Sequence, residues 1–157
     1  ISKQNDQRLE EIAKKVEAQE QQIKITNAIT SEMMAKLGND QSASQRIQGI
    51  NVALKFEKAD DEIVNALVNT MNEDRNTNVR LAALEALSKF IEEPTVRKAL
   101  VSSLSRQKDP HVQIALIQIL VTIKEKGVVE DLQKIVDDEG TIQAVKDEAY
   151  SGILRLS

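Results

Sequence analysis

Asn78-Val79-Arg80-Leu81-Ala82-Ala83-Leu84-Glu85-Ala86-Leu87 is the stretch whose reading decides the fold of this chain. Val79, Ala82, Ala83, Ala86 and Leu87 recur at steps of three and four, so they share one face of a helix. Its opening valine returns as Val112 and again as Val145, each 33 residues after the last. A period between about 20 and 50 residues marks stacked supersecondary units that bury their apolar faces against one another.

Working outward from that helix, the chain alternates helices and short turns. A first A helix is expected from about Ser42 to Glu57, with Ile47, Ile50, Ala53 and Leu54 inward. A first B helix follows from about Asp60 to Asn72 on Ile63, Leu67 and Met71. The second A helix starts near Asn76 or Thr77 and turns Val79, Ala82, Ala83, Ala86, Leu87 and Phe90 inward. Pro94 sits where a first helical residue belongs and opens the second B helix, with Val96, Leu100 and Leu104 inside. Asp109-Pro110 supplies both a cap and a first-turn proline for the third A helix, and Gly127 is expected to close it. Val128, Leu132 and Val136 define the third B helix, and a last helix runs from about Thr141 to Leu156 beyond Gly140. The third A helix is apolar nearly all round, which predicts cover from both flanking repeats.

Residues 1–37 differ in kind. They are rich in Gln, Glu and Lys and lack Pro and Gly, so one long helix is expected before Gly38-Asn39-Asp40 breaks it. Leu9, Ile12, Val16 and Ile23 trace a broken heptad with Gln19 at the seam. That pattern suits either self-association through residues 1–37 or an amphipathic helix docked on the repeats. The chain opens on Ile1 rather than Met and reads as a piece of a longer protein.

Composition sets the limits. Hydrophobic residues make up 41% and charged residues 29%, a balance that suits a folded domain rather than a disordered one. Aromatics are only 2%, so the core must come from Leu, Ile, Val and Ala. The net charge of −4 disfavours nonspecific binding to nucleic acid or anionic membrane. With no cysteine, disulfides and thiolate zinc sites are out of reach within this segment, and no apolar run is long enough to span a membrane.

The stretch from Asn78 to Leu87 resembles the first helix of a HEAT repeat, with an Asn turn, Val-Arg and a stripe of small residues and Leu. Asp109-Pro110-His111-Val112-Gln113 and Ala144-Val145-Lys146 resemble the same element, with Gln113 and Lys146 where Arg80 stands. The resemblance covers about residues 42–157. It implies an all-α fold, a right-handed α-solenoid of about three to four helical hairpins preceded by a long N-terminal helix. The domains are then a polar helix or linker over 1–37 and a HEAT-repeat domain over 42–157. Ser42-Ala43-Ser44-Gln45-Arg46-Ile47, with Asn78–Ala82 and Val112–Leu116, is also similar to the C-terminal region of bacterial membrane-anchored, anti-sigma-factor-like zinc-finger proteins. That likeness implies an upstream zinc finger and one spanning helix, which residues 1–37 would link to a soluble domain tethered at the inner membrane.

Each candidate site has an ordinary reading beside the functional one. Arg80 suits a structural bond to Asp74, Asn76 or Asp109 in a neighbouring turn. His111 is the only histidine and is expected as an exposed turn residue, since a metal site needs several ligands. The acidic clusters Asp60-Asp61-Glu62 and Glu92-Glu93 precede helices, where negative charge offsets the helix dipole. No catalytic, cofactor or metal residue is expected. The resemblance places the binding surface on the B helices, which line the concave face of HEAT solenoids: Asn65 and Asn69, then Arg97, Lys98 and Ser102, then Glu130 and Lys134. The expected function is a noncatalytic protein-interaction scaffold whose partner is another protein and not nucleic acid. The same fold family raises two rival readings, an enzyme of lyase or hydroxylase type and a DNA-binding solenoid like the alkylation-repair glycosylases.

Overall fold

A computed structural model describes residues 2–157. They form eight α-helices: α1 (Ser2–Leu37), α2 (Ala43–Ala53), α3 (Asp61–Glu73), α4 (Thr77–Lys89), α5 (Pro94–Leu104), α6 (Pro110–Thr122), α7 (Val129–Asp137) and α8 (Gln143–Leu156). A single 3-10 turn, Lys126–Val128, precedes α7. The even-numbered helices stack in order, α2 on α4, α4 on α6 and α6 on α8. The odd-numbered helices lie against them as a second layer, and this is the stacked helical-pair architecture of a solenoid.

The helix starts follow from the residues named above. The side chains of Ser42, Asp60, Asn76 and Asp109 each accept a backbone N–H of their own first turn, filling donors that have no helical partner. Pro94 and Pro110 stand at first helical positions, where a missing N–H costs nothing. The periodic residues carry the core. Val79, Val112 and Val145 are all fully buried, as are Leu67, Leu87, Leu100, Leu116, Leu120 and Leu132.

Helix ends depart from expectation. α2 stops at Ala53, not near Glu57, and tightens through i→i+3 bonds from Leu54, Lys55 and Phe56. Leu54 therefore points outward, while Phe56 turns in, and the Lys89 ammonium of α4 donates to the Leu54 and Phe56 carbonyls. Gly127 does not close α6; it lies in the 3-10 turn. Lys124 does, at φ 59°, with its N–H on the Val121 carbonyl and the Glu125 N–H on the Leu120 carbonyl. These two bonds form a Schellman motif with lysine in the left-handed position. Val136 is only half-buried, because α7 ends one residue later.

The closest packing is not within the A-then-B pairs that the sequence order suggests. Three odd helices pack most tightly on the even helix after them, α1 on α2, α3 on α4 and α7 on α8, whereas α5 is shared about evenly between α3 and α6. α1 therefore plays two roles. Its last turns join the stack, with Thr30 and Met33 buried and Ile29 and Leu37 partly covered. From residue 2 to Ile25 every side chain is exposed. Docking explains the C-terminal third of this helix and not the rest.

Candidate interaction surface

On α3, α5 and α7 the residues opposite the core stripe come in pairs four apart, so each pair stands on one face. Asn65 and Asn69 on α3, Lys98 and Ser102 on α5, and Glu130 and Lys134 on α7 are all exposed. Ile63, Leu67 and Met71, then Val96, Leu100 and Leu104, anchor the other side of α3 and α5. Arg97 is different. It is half-buried, and its guanidinium donates to the carbonyls of Ile91 and Glu92 at 2.8 Å each. It fastens α5 to the preceding turn, while Lys98 beside it is exposed.

These side chains do not converge on one cleft. Arg97, Lys98 and Ser102 line a shallow hollow with Pro94, Val101 and Glu125. Lys134 lines a second with Asp131, Gln107 and Gln113, and Asn69 a third with Arg46, Asp74 and Arg75. A row of open, mixed-charge hollows suits an extended macromolecular surface better than an enclosed small ligand.

The turns beneath this layer hold a polar ladder. Arg46 on α2 and Asp74 at the end of α3 form a buried two-bond pair, Nε to Oδ2 at 2.8 Å and Nη2 to Oδ1 at 3.1 Å. The remaining Arg46 nitrogen donates to the carbonyls of Asn39 and Asp40. The hydrogen bond to Asp74 raises the Arg46 pKa above its ordinary value against the opposing effect of burial. One step along, Asp109 accepts from the Thr77 hydroxyl and lies 3.8 Å from Arg80, which also donates to the Asn72 carbonyl. Burial alone would push the Asp109 carboxyl up. The Thr77 hydroxyl, the backbone N–H groups of His111 and Val112, and the His111 side chain outweigh it and hold the carboxyl below its usual range. Deeper in, Asn72, Ser103, Gln107 and Gln113 are joined by hydrogen bonds linking α3, α5 and α6.

Of the three partners expected for Arg80, the structure selects Asp109; Asp74 is taken by Arg46. Sequence reasoning passed over Arg46 as a ladder residue. Its signal was its place in the repeat, since Arg46, Arg80, Gln113 and Lys146 recur at 33 or 34 residues. His111 lies in the open, with Nδ1 at 3.4 Å from Asp109. Glu93 does more than face a helix dipole, because its carboxylate accepts the Ala59 N–H of the preceding turn. Among the described residues no group of three or more His, Cys, Asp or Glu side chains is placed to hold a metal ion. α6 is flanked by α4 and α8 but keeps one strip open, where Ala115, Ile119 and Ile123 form an apolar groove with Ile91 from the turn after α4.

Stacked helical pairs, a 33-residue register and a polar ladder at the turns together define an α-solenoid. The family model for HEAT repeats matches residues 64–153, more than half of the chain. The chain belongs to the HEAT-repeat family. No curated protein and no solved structure is significantly similar to it. No described helix is long and apolar enough to cross a membrane.

Proposed function

We propose that this chain is a noncatalytic protein-interaction module that engages another protein through the outer face of α3, α5 and α7. HEAT-repeat modules generally serve as interaction scaffolds. The observation that carries the reading is the row of exposed polar pairs on successive helices, whose opposite faces are locked in the core. A rigid scaffold of this kind presents its contacts pre-arranged, so that little ordering is lost on binding. The mixed signs along the row favour a protein partner of matching pattern over a polyanion.

The finer role we propose is that of the C-terminal part of a membrane-anchored bacterial regulator of the anti-sigma-like class, with α1 as the spacer. Support comes from the sequence likeness over residues 42–47, 78–82 and 112–116 and from the polar, stack-free length of α1. Photo-crosslinking amino acids placed at Asn69 and Ser102 should capture one protein from the native cell. The same probe at Glu85, exposed on the opposite layer, should not. Equal capture at all three positions, or none at Asn69 and Ser102, refutes the surface assignment. The regulatory role is tested by the full gene product, which should carry a Cys/His cluster and an apolar stretch of about 20 residues upstream.

A further inference from the structure

The free part of α1 is a helix with an apolar seam and nothing on it. Leu9, Ile12, Val16 and Ile23 are 64%, 57%, 45% and 58% exposed. At a rise of 1.5 Å per residue the stretch from Ser2 to Ile25 stands about 36 Å clear of the repeats. A helix gains most of its stability in proteins by packing an apolar face, and this one packs none.

We infer that the occupant of this seam is a second copy of the chain, in a parallel, in-register two-helix coil over residues 2–23. Three features of the chain point to it. First, the basic and acidic side chains of residues 2–25 are equal in number, five of each, so a second copy is not repelled. A helix built to lie on an anionic membrane would carry a basic excess. Second, with Leu9, Val16 and Ile23 at a positions and Ile12 and Gln19 at d positions, Lys15 falls at g and Glu20 at the following e. In a parallel pair these meet across the seam twice, once in each direction. In an antiparallel pair g meets g and e meets e, which forfeits that match. Third, Gln19 would face its own copy across the axis, where a pair of amides can exchange hydrogen bonds and fix the register. The seam is most apolar at Leu9, Ile12 and Val16, farthest from the stack. It turns polar at Gln19 and Thr26 as α2 takes over this side of α1 from Thr30 onward. The coil therefore ends before the repeats, and the two helices part there.

The test uses the full chain. Sedimentation equilibrium should show a concentration-dependent dimer, and Ile12→Gln should abolish it. Ile12 is exposed and far along α1 from the core residues Ile29, Thr30 and Met33, so the thermal melt of the repeat domain should stay unchanged. Lys15→Glu or Glu20→Lys alone should weaken dimerisation about tenfold, since two exposed pairs turn repulsive, and the combined swap should restore it. Because the chain has no cysteine, Asn5→Cys at a d position gives a clean orientation probe. That variant should form a disulfide-linked dimer under mild oxidation. A monomer at high micromolar concentration overturns the proposal, whether or not the chain then binds lipid vesicles or another protein. So does a dimer that ignores Ile12→Gln, stays unlinked in the Asn5→Cys variant, or responds to the charge swap no differently from the single changes.

Discussion

Gly49 is where α1 and α2 come closest, and replacing it with alanine sets two known effects against each other. In the middle of a helix, Gly→Ala is ordinarily stabilising by about 1 kcal/mol. Here the added Cβ would lie 2.9 Å from the Leu37 nitrogen, 3.0 Å from the Lys36 Cβ and 3.0 Å from the Met33 carbonyl oxygen. Two of those atoms are backbone, so no side chain can swing aside, and the whole end of α1 has to back away. Overpacking costs about 1–3 kcal/mol, and a clash against backbone belongs at the upper end. Setting about 3 against about 1 leaves a net loss of about 2 kcal/mol. In a chain of this size that lowers the melting temperature by about 4–8 °C. Calorimetry or a urea titration reads the loss, and hydrogen exchange should place it first at Thr30, Met33 and Leu37, the residues that hold α1 to the stack. Gln48→Ala, one residue earlier on an exposed face, is the control and should be near neutral. A Gly49→Ala protein as stable as the parent would refute the reasoning, because the close approach of α1 and α2 would then carry no cost.

Three other outcomes are expected. Asp74→Ala leaves the Arg46 charge buried without its carboxylate and should cost about 3–5 kcal/mol in a urea titration, whereas a loss under about 1 kcal/mol would mean the pair is not buried in solution. Lys124→Gly relieves the left-handed residue that ends α6 and should stabilise by about 0.5–1 kcal/mol, while Lys124→Ala should gain nothing; equal effects of the two would refute the Schellman assignment. Asp109 has a depressed folded pKa, so as pH falls the unfolded chain takes up the proton first. Its contribution is complete above about pH 4 and drains away as pH falls through the lower folded pKa. The stability gap between the parent and Asp109→Asn should thus be open at neutral pH and close in acid, and a gap that does not change with pH would refute it.

How much of this was legible in the chain depends on how local each cause is. Helix starts were readable because a capping side chain bonds its own first turn; Asp60, Asn76, Asp109 and the two prolines all act within three residues. Inward faces were readable because burial repeats with the helical period, as the triplets on α3 and α5 show. Helix ends were harder. α2 stops at Ala53 with no glycine to announce it, and the Leu54 and Phe56 carbonyls just past its end are met by Lys89 from another repeat. α6 ends on a lysine, while the nearby glycine is a distraction. Which odd helix lies closest to which even one is a tertiary outcome, and nothing in the order of the chain states it. For the candidate surface, exposure of the six polar side chains followed from periodicity. The inward turn of Arg97 did not, because it depends on two carbonyls in the turn between α4 and α5.

The tight union of α1 with α2, α3 with α4 and α7 with α8 says where this array can be cut. The short links after α3 and α7 run inside closely joined units, and the Arg46–Asp74 and Thr77–Asp109 bonds tie the links after α3 and α5 to their neighbours. The links after α2, α4 and α6 run between units. An engineer lengthening or trimming the protein should therefore keep α3 with α4 as one cassette, and carry Lys89 and Glu93 along with the 54–60 link to which they bond.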